Sequence, residues 1–242
     1  MTALLISVKN TAEALLALEA GADIIDLKDP NVGALGALDL CATQQIVQAI
    51  AGRTHLSATI GENHASTNAL ISEIEARAQL GVTFIKVAVS QLFYEANFLR
   101  EMAKLSEVGV KIVAVFFADE KPDLSLLEAL QTAGFYGAML DTKNKANNLF
   151  NLQTKLALHR FVELCEIRQL KSGLAGSLKP QHVDDLLKIN STYIGFRGGV
   201  CDNWERKSTL SGHKVEEIKN MLRQHNKNST KTQQILSLAL HS

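Results

Sequence analysis

The chain has 242 residues, 46% of them hydrophobic and 5% aromatic, and its 25 basic and 25 acidic residues give a formal charge of zero. This balance argues against nucleic-acid binding, and three widely spaced cysteines argue against a disulfide framework or a cysteine zinc site. The N-terminus lacks the features of a signal peptide, and no apolar run approaches the roughly 20 residues of a membrane helix, so we predict a cytoplasmic protein without a membrane partner.

Eight short apolar segments are predicted to be buried β-strands. Their hydrophobicity is mostly continuous rather than alternating, which is typical of parallel sheets covered on both faces. The segments are Leu4–Val8, Asp23–Leu27, His55–Ile60, Phe84–Val89, Ile112–Phe117, Gly137–Asp141, Ser172–Ala175 and Tyr193–Phe196.

Helical patterns lie between these strands. The predicted helices are Thr11–Ala20 with a cap at Asn10 or Thr11, a helix from an Asp39 cap through Ile50, Ala69–Leu80, Asp123–Ala133 and Pro180–Ile189. A glycine stands just before the next strand at Gly21, Gly81, Gly109 and Gly134. Glycine is favoured after a last helical turn because a left-handed residue there penalises any Cβ.

A strand–helix unit repeated eight times indicates a closed parallel barrel or a doubly wound sheet. The count and the length favour a single (β/α)₈ TIM barrel. The first turn, Ser7-Val8-Lys9-Asn10, lacks the glycines of a dinucleotide-binding fold. We predict a barrel over residues 1–225 and a polar tail over residues 226–242 that we expect to be mobile. Docking of its apolar end, Ile235–Leu240, on a neighbouring molecule is the alternative, and homo-oligomerisation stays open.

Three lysines carry the strongest functional signal. Lys28 ends the second apolar strand, Lys86 interrupts the fourth, and Lys145 follows the sixth. An ammonium group beside apolar neighbours is costly to desolvate unless it is paired or neutral. A lowered pKa would make such a lysine a nucleophile or a base. The pattern therefore predicts amine chemistry on a carbonyl substrate.

Two carboxylates are expected near these lysines. Asp26 and Lys28 are two residues apart on one strand and so share a face. Asp26 is expected to hold the lysine, to bind an iminium or to move a proton; an ion pair at the barrel rim is the plainer interpretation. Asp141 ends the sixth strand and precedes Lys143 and Lys145, between which spacing alone does not choose.

Two glycine-bearing segments follow the seventh and eighth strands, where barrels of this type commonly bind phosphate. The predicted phosphate ligands are Ala175, Gly176, Ser177, Arg197, Gly198 and Gly199. The seven histidines show no metal-ligand spacing. We therefore predict a phosphate-bearing small molecule as the ligand, with no metal and no cofactor.

Several segments together resemble the (5-formylfuran-3-yl)methyl phosphate synthases, the furan-forming enzymes of methanofuran biosynthesis. The resemblance covers the first strand to about residue 200. The matching segments are Gly21-Ala22-Asp23-Ile24-Ile25-Asp26-Leu27-Lys28, Ser57-Ala58-Thr59-Ile60-Gly61, Ile85-Lys86-Val87, Ala138-Met139-Leu140-Asp141-Thr142, Leu174-Ala175-Gly176-Ser177 and Arg197-Gly198-Gly199.

The resemblance implies a lyase-type synthase that condenses two molecules of glyceraldehyde 3-phosphate through a lysine Schiff base, with loss of phosphate and water. Matched by motif, Lys28 would be the Schiff-base lysine, with Asp26, Lys86 and Asp141 as acid–base groups. The motif favours Lys145 over Lys143, although the loop at residues 146–148 departs from the family's more acidic, glycine-containing version. A Schiff-base aldolase acting on sugar phosphates and a non-catalytic phosphate-binding barrel are the alternatives.

Overall fold

The computed structural model describes the backbone of residues 1–239 and the side chains of residues 1–227. Eight parallel strands follow one another around a closed barrel. They are β1 (Ala3–Val8), β2 (Ile24–Leu27), β3 (His55–Thr59), β4 (Phe84–Ala88), β5 (Lys111–Phe117), β6 (Gly137–Asp141), β7 (Lys171–Leu174) and β8 (Tyr193–Phe196). Closure comes from pairing of β1 with β8, in which Leu4 lies opposite Ile194. The predicted (β/α)₈ TIM barrel is confirmed, with every strand boundary within one residue of its prediction.

The helices lie between the strands and after the last of them. They are α1 (Thr11–Glu19), α2 (Leu40–Ile50), α3 (Thr67–Gln79), α4 (Ala96–Glu107), α5 (Leu126–Thr132), α6 (Leu149–Leu152), α7 (Lys155–Ile167), α8 (Val183–Ile189) and α9 (Gly212–Ala239). The five predicted helices are confirmed, whereas α4, α6, α7 and α9 were not predicted. Helix α5 begins later than expected because the carboxylate of Asp123 accepts a hydrogen bond from the Ser125 backbone at 3.0 Å, which forms a turn before the helix.

The ends of the helices follow the predicted chemistry. The side chains of Asn10 and Asp39 cap α1 and α2. Each accepts a hydrogen bond from the backbone N–H of the residue three positions later, Glu13 and Ala42 respectively. The glycines at positions 21, 81, 109 and 134 all have positive φ angles, between +71° and +93°. These four glycines therefore end helices in the left-handed conformation that a Cβ would penalise.

The core has two layers because side chains of a strand alternate between the barrel interior and the helices. On β2, Ile25 and Leu27 pack outward against the helices, and Ile24 faces the interior. Asp26 shares the parity of Ile24, and Lys86 shares that of Phe84, another interior residue. Alternation therefore turns both charged groups into the barrel.

One glycine of the barrel interior is required by close packing. A Cβ at Gly173 on β7 would lie 2.4 Å from the Cζ atom of Tyr193 on β8. The tyrosine ring consequently occupies the space that a β7 side chain would otherwise fill.

Helix α9 extends past the predicted end of the barrel domain. Its first half buries Val215, Ile218 and Leu222 against the barrel, and its backbone stays helical through Ala239. The boundary predicted after residue 225 thus falls inside a helix. Side chains after residue 227 and all of residues 240–242 lie outside the described residues, so the mobility of the tail and the docking of Ile235–Leu240 stay predictions. Within the described part, none of the helices combines the length and apolarity needed to cross a bilayer.

Candidate active site

A cavity of about 530 Å³ opens at the C-terminal end of the barrel strands. Its walls include Lys28, Lys86, Lys145 and Asp141, together with the loops that follow β7 and β8. Asp26 is fully buried beneath it, at 0% exposure. The structure thus brings together, at one end of the barrel, all five residues that the sequence nominates for chemistry.

The first charged pair joins β2 to β4. Lys86 Nζ lies 2.6 Å from Asp26 Oδ1, and both side chains are buried. The Ser7 hydroxyl donates to Asp26 Oδ2 at 2.8 Å, and the Ser57 hydroxyl donates to Oδ1. Burial lowers the pKa of Lys86, and the positive charge of Lys28 lowers it further, against the opposing effect of Asp26. Lys86 is therefore easier to deprotonate than an ordinary lysine.

The second charged group joins β2 to β6. Asp141 Oδ2 lies 3.3 Å from Lys28 Nζ, and Asp141 Oδ1 lies 2.7 Å from Lys145 Nζ. The backbone amide of Thr142 donates to the same carboxylate at 2.7 Å. Burial would raise the pKa of Asp141, but the ammonium groups of Lys145 and Lys28 outweigh burial and hold this pKa well below its usual range. Asp141 is therefore ionised at neutral pH.

These contacts correct the expected partner of Asp26. The two residues Asp26 and Lys28 do share the inward face of β2, but the Asp26 carboxylate pairs with Lys86, and Lys28 pairs with Asp141. The plainer interpretation, an Asp26–Lys28 ion pair at the rim, is wrong because Asp26 lies beneath the mouth and is already bonded to Lys86 and to two serine hydroxyls.

The structure separates the two lysines that follow β6. Lys143 is exposed, and its ammonium group pairs with Glu120 outside the cavity. Lys145 turns inward, and its ammonium group also donates to the Thr142 carbonyl. Burial lowers the pKa of Lys145 to about 8, helped by the charge of Lys28 and opposed by Asp141. Lys145 can therefore exchange a proton near neutral pH.

The titration of Lys145 gives a first prediction. A lysine with an ordinary pKa of about 10.4 is almost fully protonated at pH 8 and reacts slowly with acylating reagents. We expect the acetylation rate of Lys145, followed by peptide mass spectrometry, to rise with pH and level off with a midpoint near pH 8. Exposed Lys104 on α4 is the internal control for the reactivity of the reagent. A Lys145 curve that coincides with the Lys104 curve would contradict the lowered pKa.

The predicted phosphate loops line the same cavity as the lysines. All six residues nominated after β7 and β8 form part of its wall. The two loops touch, since a Cβ at Gly199 would lie 2.1 Å from the Leu178 carbonyl oxygen. Gly176 has a φ of +116°, which L side chains rarely adopt. Glycine at both positions leaves backbone N–H groups open to a bound anion.

Arg197 departs from its predicted role. Its guanidinium binds the buried carboxylate of Glu13 on α1 and also donates to the backbone carbonyls of Ser7, Arg206 and Ser208. These contacts occupy all five N–H donors of the side chain. Arg197 can therefore contribute to a phosphate site only through its backbone, and its side chain clamps the loop after β8.

Sequence reasoning missed several residues of the site. Ser7 and Ser57 hold Asp26, and a hydroxyl opposite Asp26 in the β2–β3 register would have been the only signal for Ser57. Arg206 and Lys207 also line the cavity, but they stand in an irregular segment without periodicity. Among the described residues, no three His, Cys, Asp or Glu side chains gather as a metal-ligand set.

Comparison with known proteins gives a consistent result. The sequence model of a family described as 4-HFC-P synthase matches residues 4–219. The (5-formylfuran-3-yl)methyl phosphate synthase of Methanocaldococcus jannaschii is 31% identical, with 90% of this chain and 98% of that protein covered. A Methylorubrum extorquens protein that provisionally carries the same name is 38% identical over 91% of each chain. Among solved structures, 3-hexulose-6-phosphate synthase aligns with a TM-score of 0.65 at 15% identity, covering 90% of this chain and 99% of that one, which concerns the fold alone.

Proposed function

The chain belongs to the 4-HFC-P synthase family, and on that premise we propose that it is an enzyme making (5-formylfuran-3-yl)methyl phosphate. The proposed reaction condenses two molecules of glyceraldehyde 3-phosphate, with loss of one phosphate and of water, in the biosynthesis of a methanofuran-type cofactor. The observation that carries the proposal is the buried Lys28 ammonium at the cavity floor, 3.3 Å from Asp141 and facing the two glycine loops.

Lys28 is the proposed nucleophile. It lies at the C-terminal end of β2, where barrel enzymes commonly place reacting groups. Neutral Lys28 would attack the aldehyde of one triose phosphate, and loss of water would leave an iminium. The iminium draws electrons from the neighbouring carbon and lowers the barrier to carbon–carbon bond formation.

Asp141 would stabilise positive charge on Lys28, and Lys145 would transfer protons beside it. Because the pKa of Asp141 is held low, its carboxylate would stay ionised and stabilise the cationic iminium. Lys145, with a pKa of about 8, would donate and accept protons as water is lost. Positioned acid–base groups of this kind typically raise the reaction rate about 10²–10⁴-fold.

Lys86 and Asp26 form the second proposed proton-transfer pair. The pKa of Lys86 is lowered by burial, and its ammonium is held at 2.6 Å by Asp26. A neutral Lys86 could take the proton that the second triose phosphate loses on enolisation. The tight ion pair and greater depth argue against Lys86 as the nucleophile, since forming a covalent bond there would break the contact with Asp26.

The charge of the cavity favours a phosphorylated substrate. Among the residues whose side chains are described, seven basic and two acidic ones line this cavity. A concave surface dominated by positive charge concentrates anions and speeds their association. The phosphate that the product retains would sit on the backbone of Gly176 and Gly199.

Ultraviolet absorbance during incubation with glyceraldehyde 3-phosphate alone tests the proposal. We expect the growth of a furan-aldehyde band and release of inorganic phosphate in equal amount, with the product mass matching (5-formylfuran-3-yl)methyl phosphate. Consumption of substrate without the band would indicate an aldolase that stops at a sugar phosphate. Substrate that binds but is not consumed would indicate a non-catalytic phosphate-binding barrel.

A further inference from the structure

We propose that Arg206 binds the phosphate of the second triose phosphate, at a position separate from the glycine segments Ala175–Ser177 and Arg197–Gly199. The identity of the ligand rests on the proposed function, since two triose phosphates bring two phosphate groups. The anion site itself rests on contacts around the cavity mouth.

Arg206 reaches across the mouth. Its backbone stands in the loop after β8, and its guanidinium Nη2 donates to the carbonyl of Gly33, in the loop after β2, at 2.8 Å. Strand β1 lies between β8 and β2 in the barrel. The side chain therefore spans the sector above β1 and ends beside the loop that directly follows Lys28.

Most hydrogen-bond donors of the Arg206 guanidinium are available to a ligand. Among the described residues, its hydrogen bond to Gly33 is the one protein contact of its five N–H groups, and no carboxylate lies within 4.0 Å of it. Arg206 is nevertheless half-buried in the cavity wall. A partly desolvated guanidinium without a carboxylate partner is suited to bidentate binding of a phosphate.

The loop that carries Arg206 is held rigidly in place. The Arg197 guanidinium donates to the Arg206 carbonyl at 2.7 Å and to the Ser208 carbonyl at 3.1 Å, and the Lys9 ammonium donates to the Lys207 carbonyl at 2.7 Å. A binding group fixed before its ligand arrives loses less conformational freedom on binding. The buried Arg197–Glu13 pair thus acts as a positioning device for Arg206.

The same loop is bent in an unfavourable conformation. Asn203 and Trp204 have φ angles of +53° and +59°, a region that residues other than glycine rarely adopt. Lys214 lies 4.0 Å from the centre of the Trp204 ring and helps to hold the bend. Strain of this kind persists where surrounding contacts over-determine it, commonly at binding sites. Here the bend directs the next residues, including Arg206, back over the cavity.

Arg206 also interacts electrostatically with Lys145 and Asp141. Its charge lowers the pKa of Lys145, and the charge of Asp141 opposes the effect of burial on the pKa of Arg206. A phosphate on Arg206 would therefore lie near the Lys28–Asp141–Lys145 cluster. One phosphate would be held by the glycine segments Ala175–Ser177 and Arg197–Gly199, and the other by the Arg206 guanidinium, which reaches across β1 toward Gly33.

The test is Arg206→Gln, which keeps an amide donor for the Gly33 carbonyl and removes the charge. Calorimetry with inorganic phosphate should give two ions per wild-type chain and one per Arg206→Gln chain. The KM for glyceraldehyde 3-phosphate should rise about 10- to 100-fold, the effect of losing a hydrogen bond to a charged group, with a smaller change in kcat. Arg206→Lys should recover part of the loss.

Arg100→Gln, which removes an exposed arginine from α4 far from the cavity, is the matched control and should bind two phosphates. A single phosphate in the wild type, lost in Arg206→Gln, would overturn the separate site and place Arg206 in the β7–β8 site. Two phosphates and an unchanged KM in Arg206→Gln, with an unchanged melting temperature, would overturn any anion-binding role. Binding of inorganic phosphate does not depend on catalysis. The calorimetric results therefore test the anion site even if the protein forms no furan.

Discussion

Lys28→Ala is expected to lose both covalent trapping of substrate and product formation. Borohydride added with glyceraldehyde 3-phosphate should reduce an iminium on the wild-type chain and leave a stable adduct on Lys28. Removal of a catalytic nucleophile commonly lowers turnover by about 10⁴-fold or more. We therefore expect no furan-aldehyde band above background in Lys28→Ala, and no increase in its intact mass after borohydride.

The experiment has a matched control in the same chain. Lys143→Ala removes an exposed lysine that pairs with Glu120 outside the cavity, and it should be labelled as the wild type is. Peptide mapping locates the adduct. A Lys28→Ala chain that is still labelled at Lys86 or Lys145, at the wild-type rate, would show that another lysine is the nucleophile.

The buried pair of Asp26 and Lys86 is expected to dominate stability as well as activity. Removing one partner of a buried ion pair leaves an uncompensated charge and typically costs about 3–5 kcal/mol. We expect Asp26→Asn and Lys86→Met each to lower the free energy of unfolding by an amount in this range, because both side chains are at most 3% exposed. Urea unfolding measures the change.

The double variant separates stability from chemistry. With Asp26→Asn and Lys86→Met combined, neither charge is left unpaired, and the amide introduced at position 26 can still bond to Ser7 and Ser57. We expect the double variant to recover most of the lost stability, so that the two single effects are strongly non-additive, while furan formation stays absent. Additive losses of stability would contradict a direct pair. Recovery of activity in the double variant would contradict a role of the pair in proton transfer.

Much of the architecture follows from local sequence alone. Continuous apolar segments are typical of strands buried on both faces, and their number and spacing predict a closed barrel. Positive-φ glycines and side-chain caps mark the helix ends, because their preferences depend on only a few neighbouring residues. Helix α4 was not predicted, although its buried residues Phe98, Met102 and Leu105 recur at the spacing of one helix face, so the local pattern was sufficient to find it.

The candidate catalytic residues could also be predicted from the sequence, but their ion-pair partners could not. Lys28, Lys86, Asp26 and Asp141 could be nominated because charged groups stand out on apolar strands and alternation assigns them a face. Alternation says nothing about which inward side chains meet across the barrel. That depends on the stagger of strands around the closed sheet, which pairs Asp26 with Lys86 and Lys28 with Asp141.

By itself, then, the sequence determined the barrel, the inward direction of its charged groups and the glycine loops at its mouth, because each depends on local periodicity or backbone preference. Only the tertiary structure showed that Arg197 clamps a loop through Glu13 and that Arg206 crosses to Gly33, and it placed Lys145 in the cavity and Lys143 outside it, a choice that spacing alone left open. Those choices depend on loops whose conformation is set by contacts between residues far apart in the chain, and no local pattern encodes such contacts.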